Sequence, residues 1–169
     1  MRRKLRAEKG VTLVEMLACA VILVLLGLML NTGIQVAARS YHAITAKAET
    51  QLLLSTITDA LADDLRYARE IVTEEAEADS EAGGKKLISY NSDSYGLAAC
   101  PGISGEGQIL VGGKKLLPAG AYGNGAYEAE TLDIFYDGAC FSIYVRVKEK
   151  NGSISAETKV SVRCLNGKT

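Results

Sequence analysis

The chain has 169 residues, 48% hydrophobic and 23% charged, an ordinary globular composition that excludes global disorder or low complexity. A single histidine excludes a His-rich metal site and leaves a Ser-His-Asp triad only if His42 serves it. The net charge of −1 excludes a nucleic-acid binder working by bulk charge.

The charge is unevenly placed. Residues 1–10 carry Arg2, Arg3, Lys4, Arg6 and Lys9 against Glu8 alone, and Val11 to Leu30 then contains one charge, Glu15, and one other polar side chain, Thr12. At about 1.5 Å per residue in a helix, this run matches the roughly 30 Å hydrocarbon core of a bilayer. The basic flank predicts a cytoplasmic N-terminus, with the chain beyond Leu30 outside. An ordinary secretory signal has an uninterrupted apolar core before its cleavage site, and Glu15 interrupts this one. A lipoprotein signal at Met16-Leu17-Ala18-Cys19 would place the cysteine after the apolar core, whereas most of the core follows it. A plain membrane anchor accommodates everything except Glu15, because a charge within a transmembrane helix costs on the order of 3 kcal/mol at the centre and marks function.

The stretch Lys9-Gly10-Val11-Thr12-Leu13-Val14-Glu15-Met16-Leu17 resembles the cleavage and methylation signature of type IV prepilins and type II secretion pseudopilins. The resemblance covers residues 1–70. It implies a leader, residues 1–10, removed between Gly10 and Val11 by a prepilin peptidase, N-methylation of Val11, and a role for Glu15 in subunit assembly. It departs from the family in having Val11 where phenylalanine is usual, and in lacking a proline later in the helix, where Gly33 is the nearest helix-weakening residue. The physics agrees with this assignment. Cleavage would create an ammonium on Val11, and Glu15 lies four residues on, on the same helix face and near the positive end of the helix dipole. Pairing that ammonium with Glu15 of a neighbouring subunit makes a register device, since a misdocked subunit leaves a buried charge unpaired.

Beyond Leu30, Asn31-Thr32-Gly33 marks a membrane exit and a bend, after which an amphipathic pattern resumes. Ile34, Ala38, Tyr41, Ile44 (or Thr45), Ala48 and Leu52, then Leu54, Ile57, Leu61, Leu65, Ala68 and Val72, recur at spacings of three and four. A helix from Val11 to Val72 would be about 90 Å long. His42 lies on it as a solvent-facing or half-buried ring, and Tyr41 and Tyr67 read as packing residues. Residues 73–86 follow as an acidic, glycine-containing connector that does not match a calcium loop.

The remainder, 87–169, switches to period two. Leu87 to Tyr90, Gln108 to Val111, Leu132 to Tyr136, Cys140 to Val147 and Ile154 to Cys164 read as strands separated by glycine-rich turns. A two-residue turn at Asn151-Gly152 sets Phe141 opposite Val162, Ile143 opposite Val160, Val145 opposite Thr158 and Val147 opposite Ala156 on one face. The other face holds Arg146 opposite Glu157 and Tyr144 opposite Lys159. The fold class expected is α+β, with a long N-terminal helix packed through its outer half on a C-terminal antiparallel sheet; a pilin-like arrangement is what the resemblance implies.

No catalytic, metal or cofactor site emerges. Gly112-Gly113-Lys114-Lys115 lacks the spacing and the Ser or Thr of a phosphate loop, and Gly123-Asn124-Gly125 meets Glu128 at the third-glycine place. Cys19 reads as an apolar packing residue; among Cys100, Cys140 and Cys164, Cys100 could bridge to Cys140 or Cys164, or all three stay free. The expected function is a structural subunit, major or minor, of a type IV pilus, type II secretion or DNA-uptake filament. Leu61-Ala62-Asp63-Asp64-Leu65-Arg66-Tyr67-Ala68 resembles minor pseudopilins of the J type. The partners implied are the membrane, the prepilin peptidase/methyltransferase, other pilin or pseudopilin subunits and the assembly platform. The location implied is the inner or cytoplasmic membrane, then an extracellular filament or a periplasmic or cell-wall pseudopilus. The competing reading is a single-pass anchored module whose head binds an external ligand.

Overall fold

The computed structural model describes residues 12–75 and 84–166. The leader, Gly10, Val11 and most of the acidic connector lie outside the described residues. A single long helix, α1 (Leu13–Arg66), precedes the strands β1 (Arg69–Glu74), β2 (Lys85–Ser92), β3 (Gly96–Ala99), β4 (Pro101–Ile103), β5 (Ile109–Val111) and β6 (Lys114–Lys115). A short 3-10 segment, Ala119–Gly125, leads into β7 (Tyr127–Tyr136), β8 (Cys140–Glu149) and β9 (Ser155–Arg163). The class is α+β. The chain divides into two compact units, Met1–His42 and Ala43–Thr169. Among the described residues the first holds only helix; the second holds the rest of α1 and all the strands.

Every strand pair is antiparallel, and the main sheet runs β1-β2-β7-β8-β9, with β3 also pairing with β2. β4, β5 and β6 form a separate small sheet. The β8–β9 register is the one expected from Asn151-Gly152, with Phe141↔Val162, Ile143↔Val160, Val145↔Thr158 and Val147↔Ala156 in one set and Arg146↔Glu157 and Tyr144↔Lys159 in the other. Period-two alternation selects it, since a slip of one residue would exchange the faces. The turn itself differs from the two-residue one expected: Gly152 N–H turns back to Glu149 O, the nearest cross-strand bond is Glu149 N–H to Ile154 O, and neither Asn151 nor Gly152 takes the positive φ of a primed turn. Phe141, Ile143, Val145 and Val147 are buried in one core with Leu54, Ile57, Leu61 and Leu65 of α1.

Only the later half of the expected helix stripe enters that core. Leu54, Ile57, Leu61, Leu65 and Ala68 are buried, but Ile34, Tyr41, Ile44 and Leu52 are exposed. Buried in their place are Ala46, Thr50 and Leu53, from the opposite side of the helix. Two threonines can line this face because each hydroxyl is satisfied within the helix: Thr50 donates to the Ala46 carbonyl at 2.6 Å and Thr58 to the Leu54 carbonyl at 2.8 Å.

The helix also ends earlier than its apolar spacing indicates, at Arg66 rather than Val72. Its last turn tightens, with Tyr67 N–H donating to Asp64 O and Ala68 N–H to Leu65 O. The carbonyls of Arg66, Tyr67 and Ala68 are then taken by Leu165 N–H (2.8 Å), the Asn166 amide (3.3 Å) and the Cys164 thiol (3.6 Å). Released from the helix, Arg69–Glu74 becomes an edge strand against β2. The run Ile71-Val72-Thr73 is β-branched throughout, a strand signal outweighed in the sequence by the helical spacing that preceded it.

Candidate functional site in the first turn of the long helix

Thr12 starts the helix. Its Oγ1 accepts the Glu15 N–H at 3.3 Å, and its carbonyl accepts the Glu15 and Met16 N–H groups at 3.0 and 3.2 Å. Thr12 is therefore the N-cap, and Thr-x-x-Glu has the spacing of a capping box. The Thr12-x-x-Glu15 spacing is the sequence signal for this cap, and it is masked there by the prominence of Glu15 as the one charge in an apolar run. The backbone of Glu15 is held by the cap. Its carboxylate has no partner among the described residues.

Beyond this turn the helix exposes an apolar surface on every side. From Leu13 at 82% to Leu26 at 50%, the large side chains up to Leu30 are all exposed. The helix is long and apolar enough to cross a membrane. A helix hydrophobic all round requires either lipid or other protein around it. At Asn31-Thr32-Gly33, where the sequence indicated a bend, helical bonding continues. Thr32 satisfies its hydroxyl on its own helix, donating to Met29 O at 2.9 Å and Leu28 O at 3.2 Å. His42 is exposed on the helix surface.

Two carboxylates lock the later part of α1 to the strands. Asp64 accepts the Tyr90 hydroxyl and the Ser92 hydroxyl, each at 2.5 Å. Ser92 Oγ in turn accepts the Ser94 and Tyr95 N–H groups at 3.1 and 3.0 Å, holding the β2–β3 turn. Burial, and then the bond to Asp64, push the Tyr90 phenol far above its ordinary range. Glu49 accepts the Tyr127 hydroxyl at 2.6 Å, and mainly through that bond Tyr127 is pushed up to about 12.

Cys19, Cys100, Cys140 and Cys164 are all free, one of the two arrangements the sequence left open. Cys100 lies between β3 and β4 with its thiol on the Ala98 carbonyl, while Cys164 turns to Ala68 at the end of the helix. Cys140 sits opposite Arg163, on the face of β8 away from Phe141. Strand direction thus aims the three thiols at different partners. Among the described residues no group of three or more His, Cys, Asp or Glu side chains could hold a metal ion.

Comparison of the chain with protein-family models, with curated proteins and with solved structures gives no match.

Proposed function

We propose that this chain is a single-pass membrane subunit of the type IV prepilin or type II pseudopilin kind, which assembles into a filament through its N-terminal helix. The observation that carries the reading is Glu15, a carboxylate with no partner among the described residues, in the first turn of a helix that is otherwise apolar as far as Leu30. A helix that served only as an anchor would gain by losing that charge. In the filament reading a prepilin peptidase cuts between Gly10 and Val11, the head lies outside the membrane, and the Val11 ammonium of one subunit meets Glu15 of the next. The residual exposed stripe of Ile44, Ala48 and Leu52 gives the outer part of the same helix further apolar surface for packing against neighbours.

A second reading has its own support. Thr12 and Glu15 at capping-box spacing suit a helix start in any single-pass protein, and the chain would then be an anchored module whose head binds an external ligand. Glu15→Val separates the two. In the filament reading the variant is cut after Gly10, stays in the membrane and is excluded from filaments. An unpaired buried charge costs about 3–5 kcal/mol, so with wild type co-expressed the variant should be depleted from sheared filaments by a factor on the order of 10² or more. Mass spectrometry of the filament fraction gives that ratio and should show an N-terminus at Val11. Equal ratios in filament and membrane fractions, or assembled protein retaining residues 1–10, would remove the assembly role.

A further inference from the structure

Strand β9 is an open edge of the main sheet. Among the described residues its one strand partner is β8, and the ladder from Cys140↔Arg163 to Lys148↔Ser155 runs without a register shift. No proline interrupts Ser155–Arg163. Glu149 N–H donates to Ile154 O at 2.9 Å and Cys164 N–H to Ala139 O at 3.0 Å, so the even-numbered residues turn their backbone groups toward β8. Ser155, Glu157, Lys159, Ser161 and Arg163 therefore turn theirs to the open side. The inward side chains Ala156, Thr158 and Val160 are only half-buried, whereas Val147, Val145 and Ile143 opposite them are buried. A long, unbroken edge of this kind is a template for another strand.

We propose that β9 pairs with β9 of a second copy of this chain, antiparallel and centred on Thr158. Antiparallel pairing through the open side must set odd-numbered residues opposite odd-numbered ones, because these alone carry outward backbone groups. Centring on Glu157 would oppose that carboxylate to itself, and centring on Lys159 would oppose two ammonium groups. Centring on Val160 keeps a ladder of the same length, but its Glu157–Arg163 pairs fall at the two ends and Lys159 faces Ser161, without a carboxylate. Centring on Thr158 sets Glu157 opposite Lys159 in both directions, with Ser155 opposite Ser161, Ala156 opposite Val160 and Thr158 opposite itself. Like charges directly opposite destabilise a strand pair and opposite charges favour it, so charge excludes Glu157 and Lys159 as centres. Thr158 is preferred to Val160 because it pairs Lys159 with a carboxylate and sets both charge pairs beside the twofold axis rather than at the ladder ends. The contact is isologous and closes as a twofold dimer.

The charges on the edge are placed for it. Lys159 has no carboxylate partner among the described residues; its Nζ lies 4.8 Å from the centre of the Tyr144 ring. Glu157 uses only Oε2 toward Arg146, accepting from Nε at 2.9 Å and from Nη2. The pairing does not depend on the filament reading, and Glu15→Val should leave it intact.

The test is disulfide trapping in the full chain in detergent micelles, with Cys19 replaced by alanine and Cys100, Cys140 and Cys164 by serine. Thr158 would form a pair without backbone hydrogen bonds, whose Cα atoms lie about 4.5 Å apart, within reach of a disulfide. Thr158→Cys should give about tenfold more covalent dimer under mild oxidation than Asn151→Cys in the turn. Adding Glu157→Lys or Lys159→Glu alone should cut the dimer several-fold, and the two reversals together should restore it. Restoration cannot come from the Arg146–Glu157 pair within one chain, which the double reversal leaves broken. The proposal is overturned by a Thr158→Cys yield no higher than that of Asn151→Cys, by a maximum at Val160→Cys, or by a double reversal that folds as wild type yet stays monomeric.

Discussion

Asp64→Ala removes the acceptor of two hydroxyls at once, those of Tyr90 and Ser92, each at 2.5 Å. Tyr90 is 0% exposed and Ser92 8%, so both hydroxyls depend on Asp64 for their acceptor in the folded chain. A hydrogen bond to a charged group contributes about 1.5–3 kcal/mol, and a stranded buried donor costs about 1–3 kcal/mol. Asp64 is itself only half-buried, which places each loss near the lower end and the whole at about 3 kcal/mol. Asp64→Asn keeps one acceptor oxygen and should lose about half as much. Tyr90→Phe should destabilise the wild type but be neutral or favourable beside Asp64→Ala, because it removes the stranded hydroxyl; the double-mutant cycle isolates that coupling. Urea unfolding of the full chain in detergent, followed by near-ultraviolet circular dichroism of the tyrosines, gives the energies. Amide exchange at Ser94 and Tyr95, whose N–H groups rest on Ser92 Oγ, should accelerate in Asp64→Ala. A cost below about 1 kcal/mol, or an equal effect of Tyr90→Phe in both backgrounds, would refute the role given to Asp64.

Val145→Asp and Ile143→Asp should each unfold the head, since both positions are buried in the core and an unpaired buried charge costs several kcal/mol. Arg146→Ala, on the solvated face of the same strand, should leave the urea midpoint nearly unchanged, and a loss like that of the core variants would show the faces reversed. Tyr127, raised from 10.0 to about 12 chiefly by its bond to Glu49, contributes stability that is complete below pH 10 and lost as pH rises toward 12. Urea midpoints across that window should fall in the wild type and fall less steeply in Tyr127→Phe or Glu49→Gln; identical slopes would exclude the pair as a source of the alkaline loss.

How far the sequence could be read depended on the range of the forces involved. Asn151-Gly152 and the alternation on either side of it are local, and they led to the correct register for Phe141 through Val147. The spacing of Leu54, Ile57, Leu61 and Leu65 likewise identified a buried face correctly. The same periodicity misplaced Tyr41, Ile44 and Leu52, because α1 carries apolar residues on two opposed faces there and spacing alone cannot say which one the sheet covers. The short strands β3, β4 and β6 went unread: each is four residues or fewer, too short to establish a period. The cap at Thr12 is local, and its Thr-x-x-Glu spacing is legible in the sequence.

The sequence by itself determined the apolar span with its one carboxylate, the α+β class and the terminal hairpin, because hydrophobic periodicity and turn chemistry act over a few residues and need no partner. Tertiary structure decided where the helix stops, which of its faces is buried and what Asp64 and Glu49 bind. Those outcomes rest on contacts between residues far apart in the chain, Arg66 with Leu165, Asp64 with Tyr90 and Glu49 with Tyr127. A carbonyl at the end of a helix or a carboxylate on its flank has many candidate partners in the sequence, and only the folded chain brings one within hydrogen-bond distance.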